Sequence, residues 1–230
     1  MSRSEAQAAD IDVGLRAYML QVYNYMASGI ALTGIVAYLT ASSPAMLQAI
    51  FGTPLQWVVM LAPIGFVLFF SIRLQHMKAS TAQAVFWVFA AAMGLSLASI
   101  FVVYTGESIA RVFFITAGTF GAMSLYGYTT KRDLSRMGSF LMMGLIGVVI
   151  ASLVNIFIQS SALQFAVSII GVLVFVGLTA YDTQSIKEMY WEADDEETHK
   201  KKSIMGALRL YLDFINLFIL LMQLFGNRRN

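Results

Sequence analysis

The chain has 230 residues, of which 58% are hydrophobic and 12% are charged. A soluble domain carries about 25% charged residues, so this composition argues against a soluble protein and indicates a membrane protein. The net charge of +2 is too small to indicate nucleic-acid binding, and a chain without cysteine has no disulfide, thiolate metal site or cysteine nucleophile.

Seven stretches are long enough to cross a membrane, which takes roughly 20 mostly apolar residues. They cover residues 21–41, 55–74, 84–104, 109–128, 139–159, 163–183 and 205–225. Residues 1–18 are a polar segment of mixed charge that lacks the basic start of a signal peptide, so the apolar run after it is expected to be a first membrane helix. Residues 19–226 are then one all-α domain of seven transmembrane helices, and residues 227–230 are a short tail.

Lysine and arginine predict the orientation, because they concentrate in cytoplasmic loops. Twelve of the fifteen lie in the N-terminal segment or in and beside the loops after spans two, four and six. The exceptions are Arg111, Arg228 and Arg229. The N-terminus is therefore expected in the cytoplasm and the C-terminus, after seven spans, on the other side.

Three charged side chains lie in or at the ends of these spans. Arg73 ends span two, Asp182 ends span six, and Asp213 lies within span seven. Charge is costly in hydrocarbon, so each is a candidate functional residue. In the predicted topology each lies about 6–8 Å on the membrane side of a boundary charge. All three are expected at one depth, in the cytoplasmic half of the membrane.

Two carboxylates close together in a low dielectric cannot both ionise at low cost, so they are expected to titrate as a pair and to form a proton-sensitive latch. A nearby Arg73 would hold one of them charged. Deprotonated, Asp182 and Asp213 are a candidate calcium site, although calcium takes about 6–8 oxygen ligands. Asn216, Thr179, carbonyl groups or water would supply the others.

Two structural alternatives stay open for these charges. Asp213 could simply pair with Arg209, four residues earlier on the same helix. Arg73 could extend its long side chain into the headgroup region. Aspartate is too short to do the same, which makes Asp182 and Asp213 the stronger candidates.

Two uncharged residues also interrupt the apolar pattern. Asn155, in span five, is expected to form an interhelical hydrogen bond rather than to bind a ligand. Pro63, in span two, removes a backbone donor and leaves the Val59 carbonyl without its helical partner. The sequence predicts a bend there.

The most specific pattern lies in two segments: residues 177–190, GLTAYDTQSIKEMY, and residues 208–226, LRLYLDFINLFILLMQLFG. Together they resemble the Bax-inhibitor family, also called the transmembrane BAX-inhibitor-motif family, and its bacterial inner-membrane members in particular. The resemblance implies seven helices with the last at the centre. It also implies a pH-sensitive calcium leak, in which Asp182 and Asp213 match the paired aspartates and Arg73 matches their arginine partner.

The leading hypothesis is a proton-gated cation leak of the bacterial inner membrane, with calcium as the permeant ion, a periplasmic C-terminus and no cofactor. The alternative is an interaction protein that regulates a membrane-bound quality-control protease through its N-terminal segment and the loop 187–203. No nucleophile or metal constellation predicts an enzyme. The expected partners are membrane lipid, calcium ions and protons, and no nucleic acid.

Overall fold

The structure is a computed structural model that describes residues 3–73 and 76–229, with side chains described from residue 13 except at residue 71. This part of the chain holds eight helices: α1 (Arg3–Ala41), α2 (Pro44–Phe51), α3 (Leu55–Arg73), α4 (Ala79–Val103), α5 (Gly106–Thr129), α6 (Ser135–Ile158), α7 (Ser161–Glu188) and α8 (Glu196–Phe225). Its extended structure is limited to a single bridge between Tyr104 and Arg228. The predicted all-α class is confirmed.

Six of the described helices are each long and apolar enough to cross a membrane: α1 from Val13 onward, α4, α5, α6, α7 and α8. α2 and α3 pass the same test together, although they meet at an angle of 80°. Counted as one broken span, this pair is the seventh. The chain is therefore a multi-pass membrane protein, and the predicted count of seven holds if α2 and α3 are taken as one span.

Two elements differ from the hydropathy pattern. α1 begins at Arg3, so most of the segment predicted to be polar and separate is continuous with the first span. The short helix α2 was not predicted, because eight residues are too few for a span. Local chemistry nevertheless marks its start: the Ser43 hydroxyl accepts a hydrogen bond from the Met46 amide at 3.4 Å, and Pro44 occupies the first turn.

The chain divides into two compact units, and α8 contributes to both. Unit 1 comprises Met1–Val103 and Met189–Leu208, and unit 2 comprises Tyr104–Glu188 and Arg209–Asn230. In its most apolar window α8 is 72% buried, against 11% to 39% for the other five spans. α8 is therefore the most buried of these six described spans.

In unit 1, α1 packs closely against α4 through small residues. A side chain at Gly94 would overlap the Thr33 carbonyl oxygen and the Val36 side chain, so only glycine permits this approach. The Thr33 hydroxyl donates to the Ala90 carbonyl at 2.8 Å. Ala90 and Gly94, four residues apart on α4, therefore lie at the contact with α1.

Pro63 lies inside α3 and frees the Val59 carbonyl, as predicted from the sequence. The structure supplies a replacement donor from the neighbouring helix. The Ser96 hydroxyl of α4 lies 2.6 Å from the Val59 oxygen and also 3.2 Å from the Ala92 oxygen of its own helix. A hydroxyl of α4 thus satisfies the carbonyl that the proline leaves unpaired.

Ser96→Ala is expected to lower the free energy of unfolding by about 1–3 kcal/mol, because the Val59 carbonyl loses the donor that replaces the helical one. Ser99→Ala is the matched control, since the Ser99 hydroxyl donates only within α4, to the Ser96 carbonyl at 3.3 Å. Thermal unfolding in detergent measures both variants. Equal stability of the two variants would contradict this role for Ser96.

In unit 2, α7 packs against both α5 and α6. A Cβ atom at Gly127 of α5 would overlap the Ala180 carbonyl of α7, and one at Gly138 of α6 would overlap the Tyr181 ring. The Ser124 and Thr183 hydroxyls are 2.9 Å apart across the α5–α7 contact. These contacts hold α7, and with it Asp182, at close range to its neighbours.

Polar groups fix both ends of unit 2. Gln184 accepts a hydrogen bond from the Leu134 amide and donates to the Arg132 carbonyl, both at 2.8 Å, which ties the α5–α6 loop to α7. The Asn227 amide donates to the Ser108 hydroxyl at 2.8 Å. The C-terminal residues predicted as a short tail are therefore bound to the start of α5.

Candidate functional site

Asp182 and Asp213 meet inside unit 2. Asp182 lies near the end of α7, and Asp213 lies in the middle of α8 with only 4% of its surface exposed. Their carboxyl groups line the same cavity and lie close enough for the charge on each to act on the other. Oδ2 of Asp213 is buried and accepts no hydrogen bond from any described donor. A full charge on that oxygen would be poorly solvated.

Arg209 is the cation that acts on this pair. It lies one turn before Asp213 on α8, and its charge acts on both carboxyl groups. Arg73, the partner predicted from depth and resemblance, ends α3 in unit 1 with an exposed side chain. Unit 2 thus contains both aspartates and Arg209 but not Arg73. The pairing of Arg73 with the aspartates stays a prediction.

A cavity of about 550 Å³ adjoins the pair and is called the aspartate cavity below. Asp182, Asp213, Arg209 and Asn216 line it near one end, and apolar residues of α6, α7 and α8 form most of the remaining wall. A cavity of this size holds many water molecules or a hydrated ion, since a water molecule occupies about 30 Å³. The two carboxyl groups therefore border a space large enough for water or a hydrated ion.

The two other predicted supporting residues differ in position. Asn216 lines the cavity and donates its amide to the Leu212 carbonyl at 2.8 Å, which leaves its side-chain oxygen free to face a cation. Thr179 is fully buried one turn before Asp182 and donates to the Phe175 carbonyl at 2.8 Å, within its own helix. Of the two, only Asn216 is placed on the cavity wall.

The oxygen ligands at this point are few. Across the described residues, no group of three or more His, Cys, Asp or Glu side chains is arranged to hold a metal ion. Two carboxylates and one amide oxygen fall short of the roughly 6–8 oxygens that calcium takes, so water would have to complete its shell. This chemistry suits transient contact with a passing cation better than tight storage of one.

Residues 187–203 were predicted as a loop and a contact surface in the protease hypothesis, but only residues 189–195 connect the helices, because α7 ends at Glu188 and α8 begins at Glu196. Part of this segment contacts α1 within unit 1. The Tyr190 ring lies 5.7 Å from the Tyr18 ring and 5.4 Å from the His199 ring. Lys202 pairs with Asp194 and donates to the Met189 carbonyl at 2.9 Å. The binding of a protease here stays a prediction.

Comparison with known proteins shows the family to which the chain belongs. A family model described as inhibitor of apoptosis-promoting Bax1 matches residues 15–230. The chain belongs to the Bax-inhibitor family. It is 51% identical over 219 residues to the inner membrane protein YbhL of Escherichia coli K12, with 94% of each chain covered. An uncharacterized protein of Rickettsia prowazekii is 54% identical over 219 residues, covering 95% of this chain and 93% of the relative.

The family likeness extends beyond these organisms. An uncharacterized membrane protein of Streptococcus pyogenes is 34% identical over 217 residues, with 94% of each chain covered. Membership of the Bax-inhibitor family and the multi-pass membrane architecture are therefore established together. The resemblance first carried by residues 177–190 and 208–226 is confirmed.

Proposed function

We propose that this member of the Bax-inhibitor family is a pH-sensitive cation leak, with calcium as the permeant ion. The observation that carries the proposal is the buried Asp182–Asp213 pair beside the aspartate cavity. A pair of carboxyl groups so close in a low dielectric exists in two states of different charge. The state with one shared proton favours close contact, and the doubly ionised state favours separation.

This difference can gate ion passage, because a proton that binds one arrangement of α7 and α8 better than another shifts the balance between them. Separation of the carboxyl groups would turn their oxygens toward the cavity, where they attract a cation. Arg209 compensates part of the negative charge on the doubly ionised pair. The pair is thus both the sensor and the first ion contact.

The proposed location is the bacterial inner membrane with the N-terminus in the cytoplasm. The distribution of lysine and arginine supports this orientation. One relative of 51% identity carries the name inner membrane protein. In this orientation the aspartate pair lies in the cytoplasmic half of the membrane, and the C-terminal end of α8 faces the periplasm.

Reconstitution in liposomes that enclose a calcium-sensitive dye tests the proposal. The purified protein should carry calcium into the vesicles at a rate that changes when the external and internal pH are stepped together. Empty liposomes and liposomes with an unrelated multi-pass protein are the controls. A flux no greater than these controls at every pH would contradict the channel.

Arg209→Gln is expected to move the midpoint of the pH-dependent flux upward by about one pH unit, because loss of a nearby positive charge makes ionisation of the carboxyl pair more costly. Arg209→Lys keeps the charge and is the matched control, with a much smaller shift. Flux titrations of both variants and the wild type measure the effect. A common midpoint for all three would exclude Arg209 as the cation that acts on the pair.

A further inference from the structure

A second polar cluster lies in unit 2, on the side of the aspartate cavity away from the carboxyl pair. Its four residues are Asn155 on α6, Gln164 and Ser168 on α7, and Gln223 on α8, called the amide cluster below. Gln164 donates to Oε1 of Gln223 at 2.7 Å, and the Ser168 hydroxyl lies 2.8 Å from the same oxygen. Asn155 donates to Oε1 of Gln164 at 3.1 Å, the interhelical bond that its position predicted. The cluster therefore joins three helices.

The amide cluster lies where two cavities meet. All four of its residues line a second cavity of about 520 Å³, which also has Gln159 and Arg228 on its wall. Gln223 of α8 and Ile156 of α6 each line both this cavity and the aspartate cavity. Ten residues of α8, about 15 Å of helix, separate Gln223 from Asp213. Gln223 thus lies at the boundary between the second cavity and the aspartate cavity.

The side of the aspartate cavity that α6 forms is largely apolar. The wall that α6 contributes carries large apolar side chains that are exposed on the surface of the protein, such as Met142 (48%) and Leu153 (56%). In a membrane such side chains face acyl chains, which exclude ions. Ions therefore have to pass the ends of the cavity rather than its side.

We propose that the amide cluster is a second gate, in which Gln223 blocks the passage while it is bonded to Gln164 and Ser168. The proposal rests on the cation leak proposed above and adds the residue that closes the opposite end. When Gln223 swings away, its oxygen and those of Gln164 and Asn155 line the opening. Neutral oxygens of this kind replace part of the water shell of a hard cation during passage.

The competing explanation is purely structural. Interhelical hydrogen bonds between amide side chains are common in membrane bundles and stabilise them by about 1 kcal/mol each. A structural bond and a gate both predict that loss of Gln223 lowers stability somewhat. Only a gate predicts that the loss lets water-soluble reagents reach the aspartate cavity.

The lack of cysteine in the chain provides a clean test. Ser152→Cys places a thiol on the wall of the aspartate cavity, where the native hydroxyl bonds only to the Val148 carbonyl of its own helix. Ser161→Cys places one in the second cavity. A membrane-impermeant cationic methanethiosulfonate reagent is added to spheroplasts and to inverted vesicles. The preparation in which the thiol at position 161 reacts is the one in which the second cavity is open to the added reagent.

In that preparation the thiol at position 152 should react slowly in the otherwise native chain. Adding Gln223→Met, which keeps the side-chain volume and removes the hydrogen bonds, should raise its rate by about tenfold or more. Tenfold corresponds to about 1.4 kcal/mol, near the lower end of the range for two lost hydrogen bonds. Ser168→Ala removes one of the two groups that hold Gln223 and should give a smaller increase. Ser139→Ala, whose hydroxyl donates only to the Ser135 carbonyl of its own helix, is the control and should give none.

Two results would overturn the gate. One is rapid labelling at position 152 with Gln223 intact, and the other is a rate that Gln223→Met leaves unchanged although the variant elutes as a folded protein. A tenfold increase in labelling without calcium flux in any variant would confirm the gate and contradict the leak. Calcium flux without a change in labelling would support the leak and contradict the gate. Each proposal can therefore fail without the other.

Discussion

Asp213→Asn is expected to abolish the pH dependence of cation flux and to leave the protein folded. Asparagine matches aspartate in shape and can still hydrogen-bond to Asp182, but it cannot ionise. A single ionisation moves most of its population over about two pH units, so the wild-type flux should change steeply across such a range and the variant flux should stay flat. The effect should be large because Asp213 is the more buried carboxyl of the pair.

The measurement is calcium flux into dye-loaded liposomes at a series of pH values. Asp133→Asn is the matched control, because Asp133 lies in the α5–α6 loop outside the site. Hydrogen bonds from Ser135 lower the pKa of Asp133, so this carboxylate stays ionised over the range tested. It should therefore give the wild-type profile. Identical profiles for Asp213→Asn and wild type would rule out the latch.

Gly127→Leu is expected to disrupt unit 2 and to reduce the free energy of unfolding by about 3 kcal/mol or more. Any side chain at Gly127 would overlap the backbone of Ala180, which cannot move aside as the end of a flexible side chain can. The helix α7 would be displaced, and Asp182 lies only two residues beyond Ala180. Flux should lose its pH dependence together with stability.

Gly121→Leu is the matched control on the same helix. Nothing lies within 4 Å of a Cβ atom built at Gly121, so the leucine is expected to face open space without cost. Thermal unfolding and the yield of monodisperse protein compare the two variants. Equal loss in both would show that α5 rejects leucine in general and that the approach to Ala180 is not the cause.

The sequence predicts the spans well, because hydropathy over roughly 20 residues is a strong signal in a membrane protein. The predicted span 55–74 corresponds to α3 (Leu55–Arg73), and the predicted span 205–225 forms the last two thirds of α8. The short helix α2 was missed because its eight residues carry no spanning signal. Its Ser43–Pro44 start is a cap signature that could have indicated it.

The site is predicted only in part, because depth in the membrane does not determine which residues face one another. Asp182 and Asp213 were expected at one depth, and the structure places both on the wall of one cavity, close enough for their charges to interact. The same reasoning put Arg73 beside them, which stays a prediction, and within unit 2 the charge of Arg209 acts on both carboxyl groups. Arg209 was considered only as a helix-surface partner of Asp213, since its shared action on Asp182 depends on how α7 packs against α8.

The amide cluster could not be predicted from the sequence for a different reason. Gln164 and Gln223 are 59 residues apart, and each by itself is an ordinary polar residue near the end of a span. Their contact depends on the register of α7 against α8, which Gly171 sets by admitting the Leu220 side chain. A single sequence contains no pattern for that register. The shared polarity of spans five, six and seven at this end is the one signal that could have suggested it.

Infrared difference spectroscopy of the reconstituted protein tests the shared proton most directly. A protonated carboxyl group has a carbonyl stretching band that carboxylates and amides lack, and this band can be followed while the pH is stepped. The wild type should show such a band that disappears over the same pH range in which flux changes, and both Asp182→Asn and Asp213→Asn should alter or remove it. A wild-type spectrum without a titrating carboxyl band, in protein that conducts calcium, would contradict the proton-sharing pair.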